Sequence, residues 1–275
     1  MMEASQPSTR GLAPLFWIMH LGCAAAFVSS FNFGYVWLAI AMYFVRMFFI
    51  TAGYHRYFSH RSYSTSRAFQ FFMAFMAMTS SQKGVIWWAS HHRHHHRHSD
   101  TGSDVHSPQQ RGFWWSHVGW VLSADYDEVD ETRVRDLTKF PELRWLDRYP
   151  WVPPLALGVA LFALGGWGAF LWGFVISTVI LWHGTFTINS LSHVWGSRRF
   201  NTPDDSRNNL CLALITLGEG WHNNHHRFQG ASHNGIFWWE IDITYYVLKA
   251  LSWSGLIWDL HGISPSSLAK ELSRA

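Results

Sequence analysis

Between Trp151 and Ile188 the chain reads WVPPLALGVALFALGGWGAFLWGFVISTVILWHGTFTI, 38 residues without an Asp, Glu, Lys or Arg. A bilayer crossing takes about 20 apolar residues. The stretch is therefore long enough for two spans, 151–168 and 169–188, with a turn near Gly165-Gly166-Trp167-Gly168. Upstream, residues 15–33 carry no charge and residues 35–54 carry only Arg46. These read as a second hairpin with its tip at Asn32-Phe33-Gly34. The run Phe69 to Met78 is apolar but too short to cross, and reads as a buried or membrane-surface helix. Residues Ile236 to Leu260 mix Trp238, Trp239, Tyr245, Tyr246, Trp253 and Trp258 with Glu240, Asp242, Lys249 and Asp259, the pattern of an aromatic-rich amphipathic helix at headgroup level.

Two hairpins return the chain to the side it left, so the N-terminus, residues 55–150 and residues 189–275 share one face. Of the 21 Lys and Arg, every one except Arg46 falls on that face, which assigns it to the cytoplasm. Met1 to Pro14 is polar, contains Arg10 and has no small-residue cleavage site, so the first apolar run is expected to be kept as a span. The expectation is an all-α, integral membrane protein: a single domain over 1–275, four transmembrane helices in two hairpins and a cytoplasmic helical cap. Both termini would be cytoplasmic, and the membrane would be the inner one if the cell is bacterial.

Composition agrees. Of 275 residues 48 % are hydrophobic and 17 % aromatic, with 18 Trp and 21 Phe, while 14 % are charged. The charged share is well below the roughly 25 % of a soluble domain, which excludes disorder and points to lipid. A net charge of +3 is too small to argue for nucleic acid. Cys23 and Cys211 cannot build a disulfide framework or the usual thiolate metal site.

The anomaly is 18 histidines, which gather in HRYFSH (His55, His60), HHRHHHRH (His91 to His98) and HNNHH (His222, His225, His226). All fall on the cytoplasmic side, so topology alone brings them together. In a helix, positions i, i+3 and i+4 share a face, which lets His222, His225 and His226 aim at one point. Residues i and i+5 stand about 140° apart in an α-helix, so His55 and His60 are expected to flank a site rather than chelate one ion. In the middle cluster both His91/His94/His95 and His92/His95/His96 fit, and spacing does not choose. Asn189 and His193, i and i+4 at the end of the last span, are a further pair. His20, His106, His117, His183, His233 and His261 read as ordinary satisfied polar residues. So many nitrogen donors exceed one first-row ion and imply two. All-imidazole ligation suits iron, copper, nickel or zinc. A redox pair at the membrane surface that activates dioxygen against an alkyl chain uses every feature. Asp100 and Glu219 lie close to the boxes and are candidates to accept ring N–H bonds.

At these residues the sequence resembles the membrane fatty acyl desaturase family, in the branch that includes stearoyl-CoA desaturases. The likeness runs through ITAGYHRYFSHRSY (50–63), HRHHHRHSDT (92–101), RGFWWSHVGW (111–120), NSLSH (189–193) and GEGWHNNHH (218–226). It implies the register His92, His95, His96. It also implies two irons held by His55, His60, His92, His95, His96, His193, His222, His225 and His226, with Asn189 acting through a bound water. The family's bent substrate channel is shaped by three residues that fall here on Gln82, Trp88 and Thr185, which implies a cis double bond at Δ9. Where acyl-CoA enzymes of the family carry an Arg-Asp pair and later basic residues, this chain has Ser90-His91 and Leu122-Ser123-Ala124-Asp125. An acidic run follows (Asp125, Asp127, Glu128, Asp130, Glu131), which would repel a polyphosphate. The acyl carrier, whether acyl-lipid, acyl carrier protein or acyl-CoA, stays open. No cofactor fingerprint is present, so electrons are expected from a separate ferredoxin-like or cytochrome donor. The rival readings are a di-iron hydroxylase or ketolase, which keeps the oxygen, and a non-oxidative zinc membrane protein, transporter or hydrolase.

Overall fold

The computed structural model describes residues 12–29 and 31–274. Helix α1 (Leu12–Ser29) and α2 (Phe33–Phe48) are followed by a π-helical segment, Phe49–Ser59, continuous with α2. Next come α3 (Arg67–Met78), α4 (Val85–His98) and α5 (Pro141–Arg148). Helix α6 (Val152–Phe170) leads through the π-helical Leu171–Ile176 into α7 (Ser177–Asn189), and α8 (Leu210–Ile215), α9 (His222–Arg227), α10 (Ile243–Trp253) and α11 (Pro265–Leu272) follow. The described sheet is one antiparallel pair, β1 (Ser64–Thr65) with β2 (Ile257–Trp258).

Two helical stretches are long and apolar enough to cross a membrane, Phe33–Ser59 and Val152–His193, and Ala13–Val28 is a shorter apolar helix. The second stretch is two arms. Its backbone leaves helical geometry at Gly165 (φ −145°, ψ 15°) and Gly166 (φ 65°, ψ −159°), the latter a left-handed conformation that suits glycine. Gly158 then lies against Phe170 and Phe174, and Gly173 against Leu161. A straight helix would hold residues 158 and 170 about 18 Å apart, so the chain doubles back at the diglycine. The expected turn is therefore found, but it falls at Gly165–Gly166, a few residues before the expected boundary. The first arm is short: 152–164 rises only about 20 Å.

Side-chain pairs set the directions. Phe16 stacks on Trp182 at 5.3 Å and Phe27 meets Trp172 at 5.0 Å, so α1 runs antiparallel to residues 171–189. Tyr35 covers Gly168, Leu38 covers Gly173 and Tyr43 covers Gly184, so α2 runs parallel to them. Both tips thus lie at one end, and His55, His60, Asn189 and His193 emerge at the other. Phe33 and Gly34, expected in the tip, instead open α2, where Asn32 caps the helix by accepting from Gly34 N–H at 2.6 Å. The bundle's outer surface is apolar throughout, with Leu21, Val28, Trp37, Val159 and Leu164 exposed, which in water would be untenable.

At the histidine end, α3 and α4 pack on the π-helical segment 49–59. Ser66 caps α3 through Phe69 N–H. Helix α3 buries Met73, Ala74, Ala77 and Met78 against the π segment and leaves Phe72 outside, as the sequence leads one to expect. The aromatic stretch 236–260 forms a shorter helix than expected, because Asp242 caps at Tyr245 N–H and 257–258 pairs with β1. Three histidines outside the boxes satisfy one another. His20 Nε2 meets His183 Nε2 at 3.0 Å, His183 Nδ1 meets His117 Nε2 at 3.0 Å, and His117 Nδ1 reaches Ser190 Oγ at 2.9 Å. They tie α1 and the 115–119 turn to α7.

Candidate metal centre

The π-helical segment decides the first histidine pair. Its i→i+5 hydrogen bonds, of which His60 N–H to His55 C=O at 3.2 Å is one, widen the winding so that residues five apart come onto one face. His55 and His60 therefore do not flank the site as the α-helical angle suggested. Their rings are 4.8 Å apart and point into one group with His92, His96 and His225.

Two histidine groups stand side by side. The first is His55, His60, His92, His96 and His225; the second is His95, His193, His222 and His226. In each, the nitrogens lie within 4.8 Å of one another. Short Nε2···Nε2 contacts run His60–His92 (2.8 Å), His92–His96, His96–His225 and His225–His55 (3.0 Å each), and His193–His222 in the second group (3.1 Å). Helices α4 and α9 each feed both groups, so His222, His225 and His226 do not aim at one point as expected: His225 joins the first group, and His222 and His226 the second. His91 turns away to donate from Nδ1 to Trp87 C=O and His94 donates from Nε2 to Ser103 C=O, which selects His92, His95 and His96. Arg93 fixes α4 to the π segment by binding Asp136 and the carbonyls of Phe58 and Ser59. Asn224 holds α9 through Glu240 and the Asn234 carbonyl.

Carboxylates stand behind the rings. His55 Nδ1 is 2.6 Å from Glu219, His193 Nδ1 is 2.8 Å from Asp100, His95 Nδ1 is 3.0 Å from Asp104 and His226 Nδ1 is 2.9 Å from Asp204. Asp100 and Glu219 are thus placed as the sequence suggested. Asp104 and Asp204 were missed. A carboxylate nine residues after His95 and one in the Pro203-Asp204-Asp205 loop leave no local signal. A carboxylate on Nδ1 keeps that nitrogen protonated and leaves the Nε2 lone pair facing inward. His95 Nε2 and His226 Nε2 are indeed buried without a hydrogen-bond partner, a costly state unless a cation sits before them.

Burial, followed by the neighbouring histidines, pushes His60, His92, His96, His222 and His225 well below the ordinary histidine range. Burial takes His226 to about 4, against the pull of Asp204. Only His95 moves up, because Asp104, Asp100 and Asp204 outweigh its burial. Burial would raise the aspartates, but their histidines prevail: Asp100 is held at about 2, and Asp104 and Asp204 are lowered further. His60, His92, His96, His222, His225 and His226 are thus neutral donors at neutral pH and Asp100, Asp104 and Asp204 are charged, a donor set that fits first-row metal ions.

His106, read from sequence as an ordinary polar residue, is buried, stacks on His95 at 4.2 Å and forms with His95 and Asp104 a further group of metal-type donors. Two cavities meet beside the first histidine group. Trp88, His92, Thr185 and Asn189 line both. One arm continues past Gln82, Trp87 and Trp120, the other past Met47, Ile50 and Thr216. At the junction Gln82 Nε2 donates to Thr185 Oγ1 at 3.1 Å, and Trp88 stacks on His92 at 4.8 Å. The structure thus brings Gln82, Trp88, Thr185 and Asn189 together where the two cavities adjoin.

Residues 30–252 match the family model for fatty acid desaturase. The chain is 36 % identical over 257 residues to the sn-1 stearoyl-lipid 9-desaturase of Anabaena variabilis, covering 92 % of this chain and 94 % of that one. It is 38 % identical over 213 residues to the sn-2 palmitoyl-lipid 9-desaturase of a Nostoc species, covering 75 % and 74 %. It is also 36 % identical over 246 residues to an acyl-CoA C20 Delta5-desaturase of Anemone leveillei, covering 88 % and 78 %.

Proposed function

The chain belongs to the fatty acid desaturase family, and from that premise we propose that it is an O2-dependent di-iron enzyme that places a cis double bond, at Δ9, in a saturated acyl chain of a membrane lipid. The observation that carries this reading is the pair of histidine groups beside two adjoining cavities. Four helical arms in two hairpins cross the bilayer, the histidine end faces the cytoplasm, and residues 1–275 act as one domain.

In this reading His55, His60, His92, His96 and His225 hold one iron. His95, His193, His222 and His226 hold the other, and Asn189 acts through a bound water. Iron and dioxygen supply the oxidising power that side-chain acid–base chemistry lacks for an unactivated C–H bond. The residues of the chain do the rest. Asp100, Asp104, Asp204 and Glu219 keep the ring protons on Nδ1. Trp87, Trp88 and Trp120 wall the channel against water, and the Gln82–Thr185 bond bends the acyl chain so that one C–C bond faces the metals. Two hydrogens leave adjacent methylenes, and dioxygen, with two electrons and two protons from outside, ends as two waters. A separate ferredoxin-like or cytochrome protein supplies the electrons.

The charge beside the outer arm favours a lipid carrier over CoA. Trp87 Nε1 donates to Tyr126 C=O, which places the acidic run over this arm. Of the cations beside it, Lys83 pairs with Asp127, Arg133 with Asp130 and Arg144 with Glu131, while Arg111 lies over Trp115 and donates to Tyr126 Oη, so the five acidic residues of the run outnumber the cations. No excess of positive charge remains there for a polyphosphate.

The test is a fatty acid methyl ester profile, with double-bond position, from desaturase-deficient cells that express the chain or its His225→Ala variant. A new cis-monoene that the variant lacks is the expected result. A product heavier by one oxygen would replace the reading with hydroxylation. Turnover without oxygen or reductant would replace it with hydrolysis.

A further inference from the structure

Arg46 lies in the apolar helix α2, one of the most deeply buried side chains in the molecule at 1 % exposure. Its guanidinium makes four hydrogen bonds, all to neutral oxygens: Nε to Met42 C=O (3.1 Å), Nη1 to Thr178 Oγ1 (2.7 Å) and Thr79 C=O (3.3 Å), and Nη2 to Ser177 Oγ (2.5 Å). A buried cation met only by dipoles is costly, and more so at membrane depth. An apolar side chain of similar volume would pack there at lower cost.

What the guanidinium joins is informative. Thr79 begins the segment 79–83 between α3 and α4, in which Ser81 (φ 58°) and Lys83 (φ 63°) adopt the left-handed conformation that disfavours side chains. Gln82 sits between these two strained residues. Three ties hold the segment to α7 in register: Arg46 bridges Thr79 C=O to Ser177 and Thr178, Trp182 Nε1 donates to Ser80 C=O at 2.9 Å, and Gln82 donates to Thr185. The anchor points 177/178, 182 and 185 climb one side of α7 at helical spacing. Strain of this kind persists only where surrounding contacts over-determine the backbone. Arg46 is the contact that closes the far end of this clamp.

We propose that Arg46 is a positioning residue that sets the location of the double bond, by clamping Thr79–Gln82 to α7 so that Gln82 meets Thr185 at the channel bend. The inference rests on the reading of Gln82, Trp88 and Thr185 as the acyl bend. Arg46 itself lines neither cavity arm and acts only through the segment it holds. Without it the strained segment relaxes, Gln82 loses its fixed place and the acyl chain slips past the metals by a carbon.

The test compares the wild-type chain with Arg46→Met, Arg46→Lys and Thr178→Val. Double-bond position is read by mass spectrometry of dimethyl disulfide adducts, alongside iron content and thermal midpoint. Arg46→Met is expected to raise the ratio of a neighbouring positional isomer to the main one by up to about a hundredfold, the rate penalty that a misplacement on the order of 1 Å can carry at the favoured carbon, with iron content unchanged. Arg46→Lys, whose ammonium reaches one side of the clamp but not both, should fall between. Thr178→Val should shift the ratio the same way by less. An unchanged ratio in Arg46→Met, or in Thr178→Val if Arg46→Met does not fold, overturns the inference whatever happens to the rate. Gln82→Leu and Thr185→Val separate the two levels. If they shift the ratio and the clamp variants do not, Arg46 has no such role. If they do not shift it either, the reading of the bend fails instead.

Discussion

The two histidine groups differ in what stands behind them. Five rings share one carboxylate, Glu219 on His55, whereas four rings have three, Asp100, Asp104 and Asp204. In the four-histidine group most ring tautomers are fixed by an anion before any metal arrives, and negative charge is in place to offset the ion. The five-histidine group relies on burial and on contacts between its rings, and it borders both channel arms. On the proposed reading the difference divides labour: one group is built to retain its ion, the other to face the acyl chain.

The largest expected effect asks whether the division leaves either group dispensable. His225→Ala in the first group and His226→Ala in the second should each lower desaturation by at least about a hundredfold. Each should also cost about one of two irons per chain, measured by product yield and metal analysis on the same preparation. If one variant keeps its activity, a single group does the chemistry and the comparison collapses.

A chelator should rank the groups. Carboxylates behind histidine ligands are worth about 10- to 100-fold in metal affinity. The iron left in the His225→Ala protein, held by the four-histidine group, should therefore leave more slowly than that in His226→Ala, held by the five. The opposite order of release would show that ring contacts outweigh the carboxylates. Asp204→Asn sharpens the point by keeping shape while removing one charge. It should weaken the four-histidine group by about tenfold or more and leave the five-histidine iron untouched.

Glu219 carries a second duty that the aspartates do not. Its Oε1 accepts from Arg56, a fully buried guanidinium whose other acid partner is Asp242. Glu219→Gln should therefore lower the stability of the iron-free protein as well as metal affinity, by about 3 kcal/mol, since removing one member of a buried charge network is costly. Asp204→Asn should cost the iron-free protein much less. Equal losses in thermal midpoint would mean that Arg56 is served by Asp242 alone.

These contrasts mark what was legible in the sequence. The i, i+4 pair His222/His226 shares one group because α-helical periodicity holds over His222–Arg227. His225, expected to aim at the same point, joins the other group, and Asn189 and His193 are not an α-helical pair because the helix ends at Asn189. His55 and His60 were misjudged because a π segment replaces the α-helix, and nothing in FITAGYHRYFS announces i→i+5 winding. The tie between α4 and its two groups was visible as histidines but not as a register, which His91 and His94 settle by turning to backbone carbonyls. Asp104 and Asp204 were invisible because loops carry them to their rings. The diglycine turn was plain, since Gly165-Gly166 interrupts an otherwise unbroken apolar run.

A last carboxylate serves as the control for the other four. Asp147 on α5 accepts from Ile86 and Trp87 N–H at the start of α4, a helix that feeds both groups, and faces no histidine. Burial raises its pKa to about 6, against the lowering effect of the two N–H groups, whereas Asp100, which pairs with His193, is held at about 2. The sign follows from linkage. Between about 4, the ordinary aspartate value, and about 6, the native state keeps a proton that the unfolded chain has released. Stability from this group therefore falls as pH rises through that window and is flat above it. The loss should be on the order of 2 kcal/mol. Asp147→Asn retains an acceptor for α4 but does not titrate, so the stability difference between wild type and variant, from denaturant unfolding of iron-free protein at pH 4.5 and 7, isolates the effect. Wild type should lose ground to the variant as pH rises. Parallel pH curves would mean that helix N–H groups alone keep a buried carboxylate charged, and that the histidines are not what charges Asp100, Asp104 and Asp204.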